Sequence, residues 1–130
     1  MKLHHIGLNI STEEEVDHFY TSILKFWPNR KYEITNVMSR EVFQRESEGK
    51  VFTVRNADLV LELFLTGEGH STGFQHVCLE VNDREHVAEK AKAYGYPVIR
   101  LKREPNDMLF IKDKTGNIFE LRVPGEEKQD

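Results

Sequence analysis

Two stretches of this chain repeat one another, and the repeat limits the folds that 130 residues can adopt. The first covers residues 3–10 and the second covers residues 74–81. In both, apolar residues fall at every second position, which is the pattern of a β-strand with one buried face. Alignment of the two stretches places His5 on His76. Each half of the chain therefore begins with the same type of strand, and a histidine holds the same place in both.

The same order of elements follows each of these strands. A helix is predicted next, with capping boxes at Ser11 and Glu14 in the first half and at Asn82 and Glu85 in the second. Three strands are predicted after each helix. In the first half, residues 31–56 hold two or three strands with a turn at 48–50, and a further strand lies at 59–65. In the second half the strands lie at 97–101, 108–111 and 118–123, with a turn at 113–117.

Both halves thus have the order β-α-β-β-β, and neither half alone could bury both its helix and its sheet. The predicted fold class is α+β, with two paired βαβββ modules that form a curved mixed sheet around a central cavity, helices outside. We expect one domain over residues 1–124. Its modules are 1–67 and 73–124, joined by a linker at 68–72 and followed by a flexible tail at 125–130.

Composition excludes several classes of partner. The net charge of −4 and the absence of a basic block argue against nucleic acid. No apolar run is long enough for a membrane span, and no secretory leader is recognised at the N-terminus. The lone Cys78 cannot form an internal disulfide. These features predict a cytoplasmic protein without a nucleic-acid or membrane partner.

Two glutamates interrupt the apolar strands. Glu62 lies between two leucines, and Glu120 lies at the equivalent place in the last strand of the second half. Strand alternation puts both on the face opposite the apolar one, and it does the same for His5 and His76. All four side chains are therefore predicted to point into the hollow.

This set of side chains predicts a metal site. A single strand histidine or glutamate is more often solvated or hydrogen-bonded than a ligand, but four at equivalent places in a repeat favour a ligand set. A cation compensates carboxylates that lose hydration among apolar neighbours. Imidazole with carboxylate suits Ni²⁺, Zn²⁺ or Co²⁺, with Fe²⁺ and Mn²⁺ as alternatives. His4 has the other parity and is expected at the surface or behind a ligand, whereas Cys78 is expected to line the pocket.

The chain resembles the vicinal oxygen chelate superfamily of glyoxalases, bleomycin-resistance proteins and extradiol dioxygenases. Its pattern is most similar to short bacterial glyoxalase I-like proteins. The resemblance covers nearly the whole chain and rests on the motifs at residues 5–8, 19–20, 61–63, 75–77 and 113–121. It implies a paired βαβββ fold and a homodimer. It also implies that the four metal ligands are His5, Glu62, His76 and Glu120.

By the same resemblance, the chain is a metal-dependent lyase or isomerase that acts on a small substrate with adjacent oxygens through a metal-stabilised enediolate. Glu120 is then the general base, and Glu62 is its catalytic counterpart. The alternatives are a metal-free small-molecule binding protein, as in bleomycin resistance, or an epimerase, dioxygenase or thiol transferase of the same superfamily.

The chain departs from glyoxalase I enzymes at two positions that bind the thiol substrate. Glyoxalase I enzymes carry an arginine and an asparagine for glutathione where this chain has Asn9 and Thr66, which argues against glutathione. Asn9, Glu80 and Arg122 share the predicted inner face and are candidates for substrate binding, with a solvated pocket rim as the alternative. The sequence leaves open whether the site forms within one chain or between two.

Overall fold

The computed structural model describes residues 1–46, 49–67 and 73–125. The chain divides into two compact units, Met1–His70 and Ser71–Asp130. The predicted linker at 68–72 and the tail beyond residue 125 lie outside the described residues. The predicted domain limits and the shared cavity between modules both stay predictions.

The first unit contains one four-stranded mixed sheet. Its elements are β1 (Ile6–Ile10), α1 (Val16–Thr21, with π-helical hydrogen bonding), β2 (Trp27–Ile34), α2 (Asn36–Glu41), β3 (Gly49–Asn56) and β4 (Leu59–Leu65). The strand order is β1-β4-β3-β2. The first and last strands pair in parallel, and the other pairs are antiparallel.

The second unit repeats this topology. Its elements are β5 (Val77–Glu80), α3 (Arg84–Ala93), β6 (Val98–Leu101), β7 (Met108–Lys112) and β8 (Ile118–Arg122). The strand order is β5-β8-β7-β6, and again the first and last strands pair in parallel. Two four-stranded mixed sheets with few helices confirm the predicted α+β class and the repeated βαβββ order.

One face of each sheet is buried in its unit's core. In β4, Leu61 and Leu63 are fully buried while Glu62 between them keeps access to solvent. In β8, Phe119 and Leu121 are fully buried, and so are Leu109 and Ile111 of β7. Buried helix side chains include Phe19 and Tyr20 of α1 and Ala88 and Ala91 of α3. The alternation of the strands thus sets which side chains remain on the opposite face.

The helix caps differ from the predicted ones by one residue. Ahead of α1, Glu15 and not Glu14 is the acid that reaches back: its Oε2 accepts hydrogen bonds from the Ser11 amide at 3.0 Å and the Thr12 amide at 3.1 Å. Asp83, not Asn82, caps α3 by accepting from the His86 amide at 3.1 Å. In each case the side chain that can reach a free amide lies one position away from the expected one.

The connection between β2 and β3 also differs from the prediction. The helix α2 was not predicted; the Thr35 hydroxyl begins it by accepting from the Met38 amide at 3.2 Å. The predicted turn at 48–50 is wrong, since Gly49 and Lys50 already belong to β3, and Glu48 lies outside the described residues. The turn at 113–117 is confirmed: the Asp113 carboxylate accepts from the Gly116 and Asn117 amides, both at 2.8 Å.

No helix in the described part of the chain combines the length and apolar character needed to cross a bilayer.

Candidate metal centre

The parallel pairing of β1 with β4 brings a histidine to a glutamate in the first unit. Gly7 is the register partner of Glu62, and His5 precedes Gly7 by two residues, so both side chains lie on the same face. His5 Nε2 lies 3.2 Å from Glu62 Oε1. Two residues 57 positions apart in the numbering thus form one pair because the unit's first and last strands are neighbours.

The second unit forms the equivalent pair. Cys78 is the register partner of Glu120 in the parallel pairing of β5 with β8. His76 Nε2 lies 3.6 Å from Glu120 Oε1, and the Glu120 side chain is only 8% exposed. The repeat found in the sequence therefore recurs as two His–Glu pairs, one in each unit.

The second ring nitrogen of each histidine is also held. His76 Nδ1 lies 2.8 Å from the carbonyl oxygen of Phe74. A carbonyl only accepts, so Nδ1 carries a proton and Nε2 is the ring nitrogen that faces Glu120. His5 Nδ1 lies 2.8 Å from Nδ1 of His4, which leaves His5 Nε2 facing Glu62. Metal-binding histidines in proteins are commonly oriented through the other nitrogen in this way.

This orientation places an imidazole nitrogen opposite a carboxylate oxygen in each pair, at 3.2 Å in the first unit and 3.6 Å in the second. Imidazole with carboxylate is a suitable donor set for a divalent cation. The residues present therefore fit the predicted metal.

Tyr32 of β2 supports Glu62. Its side chain hydrogen-bonds the Glu62 carboxylate. The pKa of Tyr32 is raised, first by burial, then by the negative charge of Glu62 and the hydrogen bond to it, while Arg30 opposes the shift. The phenol thus acts as a neutral donor that orients Glu62. Sequence reasoning missed Tyr32, since only the register across β3 brings β2 close to β4.

Arg122 supports Glu120 in the second unit. Its Nε donates to Glu120 Oε2 at 3.0 Å, two residues along the same face of β8. Cys78 lies beside both groups, and the pKa of its thiol is raised, first by burial and then by the charge of Glu120, against the lowering effect of Arg122. Glu120 is therefore held by a cation, whereas Glu62 is held by a neutral hydroxyl.

The three candidate substrate-binding residues have different surroundings. Asn9 lines a cavity of the first unit, together with Gly7 and Phe64. Glu80 accepts a hydrogen bond from the Gly125 amide at 3.0 Å. Arg122 is joined to Glu120. Arg122 is thus in contact with one of the predicted metal ligands.

The predicted metal ligands lie in pairs, one pair in each unit. Among the residues that the structure describes, no group of three or more histidine, cysteine, aspartate or glutamate side chains is placed to hold a metal ion. Each unit by itself supplies one imidazole and one carboxylate.

Comparison with solved structures finds the same fold. A glyoxalase family protein from Enterococcus faecalis matches with a TM-score of 0.68 at 20% identity, over 92% of this chain and 95% of that one. The fosfomycin resistance protein FosX from Listeria monocytogenes, in its tetragonal form, matches with a TM-score of 0.75 at 16% identity, over 99% and 95%. FosX from Mesorhizobium loti matches with a TM-score of 0.70 at 12% identity, over 94% and 90%.

A bound metal in one relative and the family profile of the sequence add to the likeness in fold. One structure of the Listeria monocytogenes FosX contains Mn(II) and a sulfate ion. A comparison with curated proteins finds no significant match. The profile of the Glyoxalase/Bleomycin resistance protein/Dioxygenase superfamily matches residues 2–121, which is nearly the whole chain. The chain therefore belongs to the glyoxalase, bleomycin resistance protein and dioxygenase superfamily.

Proposed function

We propose that this protein is a metal-dependent lyase or isomerase, resembling glyoxalase I, that acts on a small substrate with two adjacent oxygens. The proposed ligands of the divalent cation are His5 and Glu62 of the first unit and His76 and Glu120 of the second. The observation that carries the proposal is the orientation of the two histidines. Each directs Nε2 at a carboxylate while Nδ1 is engaged elsewhere.

When bound, the cation supplies Lewis-acid stabilisation of negative charge on the substrate oxygens. The protein's own part is to move a proton. Glu120 takes the proton from the substrate carbon beside the carbonyl, and Glu62 serves as its counterpart at the neighbouring carbon. Arg122 occupies Glu120 Oε2 and leaves Oε1 on the side of His76. Tyr32 holds the Glu62 carboxylate in the corresponding way.

A second candidate is the resistance chemistry of FosX. Fold likeness to FosX and the Arg122 guanidinium beside Glu120 favour it, because a guanidinium suits an anionic phosphonate. We rank this candidate second because Arg122 is already hydrogen-bonded to Glu120. Fosfomycin therefore belongs in the substrate panel next to methylglyoxal with several thiols.

The first experiment is a measurement of metal content by elemental mass spectrometry on tag-free protein. We expect a stoichiometric divalent metal, either as purified or after addition of Ni²⁺, Zn²⁺, Co²⁺, Mn²⁺ or anaerobic Fe²⁺. His76→Ala should lose it. His86→Ala is the matched control, because His86 is an exposed histidine of α3. Failure of all five metals to bind would contradict the proposal and favour a metal-free binding protein.

The predicted homodimer and cytoplasmic location stay predictions. Light scattering on the metal-loaded protein measures the first, and fractionation of the source cells measures the second. A mixture of His5→Ala and His76→Ala proteins separates the two possible assemblies of the site. Metal binding should recover on mixing only if the site combines the His5–Glu62 pair of one copy with the His76–Glu120 pair of another.

A further inference from the structure

The first unit encloses a cavity of about 280 Å³ beside the His5–Glu62 pair. We name it the α2 cavity, because α2 and the segment that follows it form one wall. The other walls come from β1, β4 and the ends of β2 and β3. Its lining residues are Gly7, Asn9, Ile34, Ser39, Phe43, Arg45, Gly49, Phe64, Leu65 and Thr66.

The element that forms this wall is not part of the internal repeat. In the first unit α2 lies between β2 and β3. In the second unit the equivalent connection, residues 102–107, is described and contains no helix. The two units thus share their His–Glu pairs but differ in this connection. A wall present in one unit alone is suited to a task that the repeat does not share, such as the choice of substrate.

Two aromatic rings form the apolar part of the cavity. The rings of Phe43 and Phe64 lie 5.6 Å apart at 52° to one another. The Phe64 ring comes close to β1 because Gly7 has no side chain: a Cβ at Gly7 would lie 3.1 Å from Phe64 Cε2. The rings therefore offer a surface for an apolar or aromatic group.

Polar groups of the lining already have partners within the protein. The Ser39 hydroxyl donates to the Arg45 carbonyl at 3.2 Å, and the Thr66 hydroxyl donates to the Ile10 carbonyl at 3.4 Å. Asn9 and Arg45 also make interactions of their own. We therefore expect a ligand to bind in this cavity mainly through apolar contacts.

The α2 cavity continues the face that carries the metal pair. Gly7 lies between His5 and Asn9 on β1, and Phe64 follows Glu62 by two residues on β4. Two residues along a strand cover about 7 Å. The pair and the cavity are therefore close enough for one small ligand to reach both.

We propose that the α2 cavity receives an aromatic or branched apolar substituent of the substrate, while the substrate's adjacent oxygens lie at the His5–Glu62 pair. The position of the oxygens rests on the proposed function, whereas the apolar occupancy of the cavity does not. An apolar cavity of about 150 Å³ is known to hold benzene, so the α2 cavity has room for a substituted phenyl group. The substrate class is therefore an aryl- or branched-alkyl-bearing compound with vicinal oxygens.

The test compares two hydroxamates, which bind metals through adjacent oxygens and differ in the group they carry. Isothermal titration measures acetohydroxamate and benzohydroxamate on the Ni²⁺-loaded protein. We expect benzohydroxamate to bind about tenfold more tightly, because its ring is removed from water. Phe43→Ala should abolish most of this preference, and the protein should remain folded because Phe43 is 44% exposed and lies outside the core. Val42→Ala, next to it and outside the lining, should change neither affinity. Equal affinities for the two hydroxamates, or an unchanged preference in Phe43→Ala, would overturn the inference.

A metal-independent arm separates this inference from the proposed function. The probe is 4-fluorotoluene, titrated into metal-free protein and followed by fluorine NMR and by the methyl resonances of Ile34, which lines the cavity. Saturable shifts that are lost in Phe43→Ala support apolar occupancy even where neither hydroxamate binds and the metal proposal has failed. Absence of saturable shifts in the wild-type protein overturns the inference even where acetohydroxamate binds the metal.

Discussion

Arg122 donates its Nε–H to Glu120 at 3.0 Å from a position two residues further along the same face of β8. His76 lies on the other oxygen of the same carboxylate, at 3.6 Å. The Glu120 carboxylate is thus flanked by a fixed cation and by an imidazole. The first unit has no equivalent of the cation within its described residues, because Phe64 takes the place of Arg122 and the Tyr32 hydroxyl is the donor to Glu62.

Removal of the Arg122 charge should destabilise the metal-free protein. Arg122→Gln leaves the largely buried Glu120 without its charge-assisted hydrogen bond, at a cost of about 2 kcal/mol in the free energy of unfolding. Urea denaturation measures this loss. Saturating metal should reduce it, because the cation then compensates Glu120.

The matched control is Arg100→Gln in the same unit. Arg100 pairs with Glu85 at 2.8 Å, but both side chains are substantially exposed, so the loss should stay below about 1 kcal/mol. Equal losses in the two variants would contradict the importance assigned to Arg122.

Replacement of Glu62 should change the ionisation of Tyr32. The pKa of Tyr32 lies above its ordinary value because of burial and because of the Glu62 carboxylate. Glu62→Gln removes the charge, so the Tyr32 pKa should fall toward that value while the effect of burial remains. An NMR titration of ¹³C-labelled tyrosine measures the pKa. Glu33→Gln, an exposed neighbour on β2, serves as the control and should leave it unchanged.

The same shift has a consequence for alkaline stability. A raised pKa in the folded state favours the neutral phenol there, so its stabilising contribution is complete below the ordinary tyrosine pKa of about 10. The contribution disappears as pH rises through the higher folded-state pKa. Tyr32→Phe should therefore show a smaller loss of stability above about pH 10 than the wild-type protein.

Loss of the Glu15 carboxylate should destabilise the first unit. Glu15 is 2% exposed and accepts from two amides and from the Ser11 hydroxyl. Glu15→Ala leaves these donors without their charged acceptor and should cost about 3 kcal/mol by urea denaturation. Glu14→Ala, at the exposed neighbouring position, should stay near the wild-type value. The reverse order of the two variants would show that the cap has been assigned to the wrong residue.

His4 should tune metal affinity without being a ligand. Its Nδ1 lies 2.8 Å from Nδ1 of His5, so it restrains the ring that faces Glu62. His4→Ala should weaken metal binding about tenfold, as is typical for residues behind a ligand, and His5→Ala should weaken it far more. Isothermal titration with Ni²⁺ measures both variants. His18→Ala, an exposed histidine of α1, should bind as the wild type does.

Alternation within strands predicted that His5, Glu62, His76 and Glu120 lie on the face opposite the apolar one, because a period of two residues assigns each side chain to a face. It could not predict Tyr32, whose approach to Glu62 depends on the register of β2 across β3. Nor could a periodic pattern predict α2. Its apolar residues Val37 and Met38 are exposed and its buried residue is Ser39, so it lacks the apolar stripe by which helices are recognised.

The parallel pairing of the first and last strands has a consequence for how each unit responds to a ligand. His5 and Glu62 lie at opposite ends of the first unit's sequence, and their contact exists only when β4 has docked against β1. A ligand that requires both side chains binds the completed unit and not a partly folded one. By mass action, such a ligand raises the free energy of unfolding of the whole unit, so that saturation of the site and closure of the sheet become a single thermodynamic event.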